Sequence, residues 1–237
     1  MRKLILLTGS GISADSGLDT FRRSGGQSLW AQYNPEVVCN FDSWEENFEL
    51  VHEFYSRRRA ELAHVQPNAA HRMAADWQTR FGAQLITQNV DDLFERAGAQ
   101  DVLHVHGHLT GLRCTGCGAE WETGYRPFDP AKDHCHFCGA SHTVKPNVVF
   151  FNEQAPLYRD MWQALDELTA RDVLVVVGTS GNVLPVARMA YHCAAVSVLS
   201  NLEREDSIPE HCFDHVLHGR AAEIAPQLDA LVTALMA

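Results

Sequence analysis

The chain has 237 residues, 46% of them hydrophobic and 21% charged, with a formal net charge of -11. That length suits one α/β domain with inserts better than two independent domains. The acidic balance argues against general nucleic-acid binding, which needs a basic face, and weakly favours encounter with lysine-rich peptides. No segment nears the ~18 apolar residues of a membrane span. The basic start of "MRKLILLTGSG" leads into an apolar run too short for a signal peptide, so a cytoplasmic location is expected.

The first expected strand covers 4–8 and ends in the turn Gly9-Ser10-Gly11. "GSGISA" fits GxGxxG/A, in which backbone N–H groups approach a pyrophosphate at a helix N-terminus. An isolated match is as often a plain turn. A dehydrogenase would place an acidic residue after a second strand, about 20 residues on. Asp19 comes too early for that, and Glu36 follows no strand, so hydride transfer is disfavoured.

Residues 23–83 read as a helical insert, with no clear strand over 23–66. Asp42 or Ser43 caps a helix reaching about Ala63, and Asn68 caps another reaching Arg80. The next strand, 84–87, runs into Gln88, Asn89, Val90 and Asp91. Polar groups there sit where parallel sheets bind ligands. The plainer reading is that Asn89 or Asp91 starts the following helix. In "VLHVHGHL", a strand over 102–105 sets His104, His106 and His108 in alternation on one face. His106, next to Gly107 at the strand's end, suits a general base, although a single histidine is more often structural.

Residues 111–145 are polar and hold "CTGC" and "CHFC", separated by 17 residues. Thiolates two residues apart on tight turns face one ion, so Cys114, Cys117, Cys135 and Cys138 form a four-cysteine zinc site. His134 and His136 flank Cys135 as alternative ligands. With so little apolar material, the metal is expected to hold this module together. Seven cysteines, three of them isolated, argue against a disulfide framework. Further strands are expected at 148–151, 173–177, 195–199 and 213–217, and helices near 157–170, 183–193 and 220–236. Continuous apolar runs such as "VLVVVG" are buried on both faces. The fold expected is α/β: one domain with a Rossmann-like, doubly wound parallel sheet built from about 1–22, 84–110 and 146–237.

In this order the motifs resemble the sirtuins, NAD-dependent protein lysine deacylases, over nearly the whole chain. "GSGISADSGLDTFR", "TQNVDDL", "HVHG", the two CxxC pairs, "KPNVVFFNE", "GTSGNVLPVA" and "SNLE" carry the likeness. The resemblance implies NAD as co-substrate, one structural zinc and acyl-lysine proteins as partners. A monomer is compatible with it, and nucleic acid and membrane are not implied. Gly9, Ser10, Gly11, Ile12 and Ser13 would cradle the diphosphate, and Asp19, Thr20, Phe21 and Arg22 would close over nicotinamide and ribose. Gln88, Asn89, Val90 and Asp91 would line the ribose–nicotinamide pocket. Gly178, Thr179 and Ser180 would touch phosphate and ribose; Asn201, Leu202, Glu203 and Ala221 would face the adenosine. A peptide strand would lie between Val149, Phe150, Phe151 and Asn152 on one side and Gly181, Asn182 and Val183 on the other. The acyl oxygen would attack C1′ of the nicotinamide ribose, and His106 would then assist the 2′-hydroxyl. The products would be nicotinamide, free lysine and O-acyl-ADP-ribose.

Tyr55 and Arg58, three apart on a helix, make a carboxylate receptor. Within the resemblance they match the class III signature, which implies succinyl, malonyl or glutaryl removal beside deacetylation. Arg57 and Arg59 read as solvated. Ser10, Asp15, Asp19, Cys39, Phe94 and Asn152 depart from the family pattern. Cys39 puts the pocket's width in question. Asn152 stands where a glycine is usual, and asparagine tolerates a positive φ better than most residues. Two other readings stay in view: ADP-ribosyl transfer or NAD hydrolysis, and a non-enzymatic zinc-ribbon module.

Overall fold

The computed structural model describes residues 2–18 and 29–237, without the side chains of residues 30 and 31. Asp19, Thr20, Phe21 and Arg22 lie outside the described residues. The helices are α1 (Gly11–Ala14), α2 (Leu29–Gln32), α3 (Pro35–Val38), α4 (Phe48–His64), α5 (Ala69–Phe81), α6 (Leu93–Arg96), α7 (Tyr158–Asp166), α8 (Val186–His192) and α9 (Ala221–Met236). The strands are β1 (Leu4–Thr8), β2 (Gln84–Thr87), β3 (Leu103–His104), β4 (Gly107–Cys114), β5 (Glu120–Glu122), β6 (Val144–Val148), β7 (Val173–Val177), β8 (Val196–Asn201) and β9 (His215–His218).

A six-stranded parallel sheet runs β3-β2-β1-β7-β8-β9. All five residues of β1 and of β7 are buried. Alternation divides them between two cores. Leu4, Leu6, Val173, Val175 and Val177 pack with Trp77, Leu228 and Val232 on the α5/α9 side. Ile5, Leu7, Leu174 and Val176 pack with Met161, Leu165 and Met189 on the α7/α8 side. The chain leaves β1 toward one edge and β7 toward the other, so the order reverses between them. Asn68 caps α5 as expected: its carbonyl oxygen accepts from Ala70 N at 2.9 Å, and His71 answers with Nδ1 at the Asn68 N–H.

Several boundaries move. The helix expected from residue 42 or 43 begins at Phe48, because residues 41–47 form turns first. The strand expected at 148–151 is β6 instead, ending at Val148; beyond it Phe151 makes only a single parallel bridge to Asn40. The 102–105 strand shortens to Leu103–His104, so the three histidines do not share one strand face.

The largest departure is in the cysteine module. It contains a three-stranded antiparallel sheet, β5-β4-β6, and β4 and β6 run straight across the expected module boundaries. Nor does it lack apolar support. Leu109, Leu112, Val144 and Phe128 share a third core with Trp44, Phe48, Val51 and Phe54 of the helical insert. Arg59 belongs to this seam and is not solvated. It is 0% exposed and donates to the carbonyls of Arg126 (3.1 Å) and Leu109 (3.4 Å) and to Ser56 Oγ (3.1 Å). Burial pushes its pKa down to about 10. Arg57 is the exposed neighbour, beside Tyr33 and Gln32.

The four cysteine sulfurs lie within 4.8 Å of one another, with Cys114–Cys138 and Cys117–Cys135 Sγ–Sγ distances of 3.7 Å. Zn–S bonds of about 2.3 Å in a tetrahedron require sulfurs about 3.8 Å apart, so these residues fit zinc. Four thiolates leave no open position, which makes the ion structural.

Two outcomes follow from this seam. Purified protein should carry about one zinc per chain by elemental analysis, and chelation should lower its thermal midpoint; folded protein with no metal would refute the site. Arg59→Ala, which strands two buried carbonyls, should cost about 2–4 kcal/mol in urea unfolding.

Candidate functional site

A cleft of about 790 Å³ opens at the C-terminal ends of β1 and β7, where the strand order reverses. Ligands bind at such switch points in open α/β sheets. The cleft is lined by Gly9, Ser10, Gly11 and Ser13 from the first turn and by Gln88, Asn89, Val90 and Asp91 after β2. His106, Tyr55, Arg58, Val149, Phe150, Phe151, Asn182, Val183, Gly178, Thr179, Ser180, Asn201, Leu202 and Ala221 complete the expected set that reaches it. Ile12 is fully buried beneath, and Gly181 and Glu203 stand outside the lining.

The glycine turn differs in detail from its sequence reading. The Gly9 N–H donates to Val177 O (3.0 Å) and that of Gly11 to Gly178 O (2.8 Å). These two donors therefore join β1 to β7 and do not face a ligand. Ser10 is the exposed residue of the turn. Helix α1 has only four residues, so its terminal field is small.

Beneath the cleft lies a buried polar network. Ser13 Oγ donates to Asp91 Oδ2 (2.9 Å), accepts from Asn89 Nδ2 (3.0 Å) and lies 3.3 Å from His71 Nε2. Asp91 serves both functions weighed from sequence: it lines the cleft, and its Oδ1 accepts from Leu93 N at the start of α6. Burial raises the Asp91 pKa, against the lowering effect of Ser13 and the Leu93 N–H. Asn89 does not cap that helix.

The histidines separate by role. His104 is buried, its Nδ1 2.9 Å from Asn89 O and its Nε2 2.9 Å from Glu95, and its ring lies 4.2 Å from that of His108. His106 turns the other way, into the cleft. Its Nδ1 is 3.0 Å from Gln88 O and its Nε2 2.8 Å from the Tyr158 hydroxyl. A carbonyl accepts only, so Nδ1 carries the proton and Nε2 offers its lone pair. Burial lowers the His106 pKa below the ordinary imidazole value, partly opposed by the Gln88 carbonyl. Nothing in the sequence marked Tyr158: it lies outside every recognised motif, and only the packing of α7 brings it here.

At the far end Tyr55 is buried, stacks on Phe150 (5.5 Å, 21°) and touches Cys39 Sγ through its hydroxyl at 3.2 Å. Arg58 is half-buried and lines the same end. Asn152 has φ +65, as its replacement of glycine requires, and its Nδ2 donates to Asp42 at 2.7 Å. At the opposite end Asn201 holds Thr179 by paired bonds of 3.1 and 2.9 Å. Asp15 binds Arg220 and the Ala222 N–H, each at 3.0 Å, at the start of α9. A cleft that brings together a glycine turn, an imidazole whose Nε2 lone pair faces the Tyr158 hydroxyl, and an arginine beside a buried tyrosine suits a dinucleotide plus a second substrate.

Comparison with known proteins gives the same architecture. The Sir2 family model matches residues 9–185. An NAD-dependent protein deacylase of Helicobacter hepaticus is 39% identical, covering 97% of this chain and 96% of its own. One from Caulobacter vibrioides is 40% identical, covering 94% of each. A Sir2 homologue solved with NAD superposes with a TM-score of 0.83 at 34% identity, over 100% of this chain and 91% of its own. A mutant Sir2 homologue solved with ADP-ribose gives 0.85 at 33% identity, over 98% and 92%. A family model over residues 9–185 and relatives near 40% identity along most of both chains show that the chain belongs to the Sir2 family of NAD-dependent protein deacylases.

Proposed function

We propose that this chain removes acyl groups from protein lysines, with a preference for acidic groups (succinyl, malonyl and glutaryl) and accompanying activity on acetyl-lysine. The observation that carries the preference is that Tyr55 and Arg58 both line the cleft that contains His106. A guanidinium and a phenol supply a fork and a further donor to a carboxylate. A carboxylate on the acyl group gains these bonds and an acetyl group does not. Cys39, against the Tyr55 hydroxyl, narrows the cleft there, and burial keeps its thiol protonated by pushing its pKa up to about 11.

Bound NAD would supply a ribose carbon at which the acyl oxygen can displace nicotinamide. The other roles belong to the chain. Gly9–Gly11 with Gly178–Ser180 form the wall for the diphosphate; Asn201, Leu202 and Ala221 form the adenosine end. Asn89 and Asp91, fixed through Ser13, orient ribose and nicotinamide. An extended peptide enters between 149–152 and 181–183. The N–H groups of Val149, Phe150 and Phe151 already donate to His106 O, Glu153 and Cys39 O. The carbonyls of Phe150 and Phe151 likewise accept from Glu153 N and Phe41 N, so pairing on that side relies on Val149 and Asn152. His106, neutral through burial and with its Nδ1 proton held by Gln88, takes the ribose proton at Nε2.

Mass spectrometry of acetyl-, succinyl-, malonyl- and glutaryl-lysine peptides with NAD tests this. Nicotinamide release without loss of any acyl group would favour NAD hydrolysis or ADP-ribosyl transfer instead. Arg58→Met should cut desuccinylation by about a hundredfold and deacetylation by less than about tenfold; equal losses would remove Arg58 from acyl recognition. His106→Ala should abolish turnover and leave the circular dichroism spectrum intact. Because the base must be unprotonated and its pKa is depressed, kcat/KM should fall on the acid side through one group titrating below 6.5.

A further inference from the structure

The contact between Tyr158 and His106 is not accounted for by the reading above. The Nδ1 proton is committed to Gln88 O, so His106 can accept a proton only at Nε2. An imidazole nitrogen has one lone pair in the ring plane and accepts one hydrogen bond well. The Tyr158 hydroxyl already occupies that lone pair at 2.8 Å. The phenol is the donor: burial holds its pKa above the ordinary tyrosine value, so it keeps its proton. The two rings lie 5.8 Å apart and inclined by 50°, so the contact is made through the hydroxyl and not by stacking. Tyr158 is the first residue of α7 and lines the cleft.

We propose that Tyr158 is a positioning residue for His106: its hydroxyl covers Nε2, locks the ring in the Nδ1–H form and yields Nε2 to the ribose hydroxyl when substrates seat. This rests on His106 being the base. Two physical consequences follow. First, a donor on Nε2 stabilises the neutral ring and so lowers its pKa in the free protein. Burial acts in the same direction, and no charged side chain figures among the groups that shift His106. Second, once Tyr158 has moved off, its effect on the pKa disappears from the substrate complex. The proton passes from the ribose hydroxyl to Nε2 directly. Tyr158 neither gains nor loses one.

Tyr158→Phe keeps the ring and removes the donor. In the NAD-free protein, the His106 ring titration followed by NMR should move to higher pH by about half a unit to one unit, the size of one neutral hydrogen bond. The acid limb of kcat/KM, which reports free enzyme, should move with it, while the acid limb of kcat stays in place. The plateau kcat should fall by less than about tenfold. An unmoved NMR titration would overturn the hydrogen bond. Equal movement of both limbs would mean that Tyr158 stays on Nε2 during turnover and would overturn its release. A hundredfold loss of kcat would overturn it too, by making the hydroxyl part of the proton path. The NMR titration needs no turnover, so it still reads the contact if His106→Ala proves active and the base assignment itself fails.

Discussion

The site depends on one close backbone approach. The turn after β1 and the turn after β7 touch without side chains between them. A Cβ on Gly178, which has φ +65, would lie 2.4 Å from Ile12 N; one on Gly11 would lie 2.7 Å from Gly178 Cα. The Gly11 N–H to Gly178 O bond fixes that contact. Any side chain here would force the two strand ends apart, and the cleft floor lies on them. The glycine pattern thus acts first as a packing requirement. Of the two packed turns, Ser10 is what stays exposed toward the cleft.

The second layer is the buried polar network under the cleft. Ser13, Asn89, Asp91 and His71 come from α1, the end of β2 and α5, and each group's hydrogen-bonding capacity is met largely by another. Buried polar groups of this kind are costly unless satisfied, and when satisfied they fix a unique arrangement. Asn68 ties the network further, donating to Ile12 O (2.8 Å) and to Ser16 Oγ (3.0 Å) while capping α5. The helical insert and the nucleotide turn are therefore held by the same few side chains.

How much of this could be read from sequence depended on what kind of interaction carried it. β1, β2 and β7 were legible because two-sided burial leaves an uninterrupted apolar run. Asn68 was legible because capping is local. The cysteine pairs were legible because ligand spacing is chemistry that folding does not alter. β4 and β6 were not: buried and half-buried residues do not alternate cleanly along either, and their apolar partners, Phe48 and Phe54, lie some fifty or more residues away. Arg59 looked solvated among three consecutive arginines, and only the carbonyls of Leu109 and Arg126 make it a buried strut. Tyr158 gave no signal because its partner is 52 residues earlier.

The same seam explains how His106 is held. Val105 N–H joins the parallel sheet at Thr87 O, and two residues later Gly107 pairs with Val148 in the antiparallel sheet. His106 is the hinge between the two, and its own carbonyl accepts from Val149 N at 2.8 Å. The change of direction requires Gly107: its φ is +81, and a Cβ there would stand 2.1 Å from Asn147 O. The segment expected to guide the peptide and the residue expected to take the proton are thus joined by one backbone hydrogen bond. The zinc module, through β4 and β6, supplies the rigid arm on which both are mounted. A metal whose four positions are taken by thiolates would have none open for chemistry, yet by tying the end of β4 to the loops beyond it, it would bear on where the base and the peptide edge stand relative to each other.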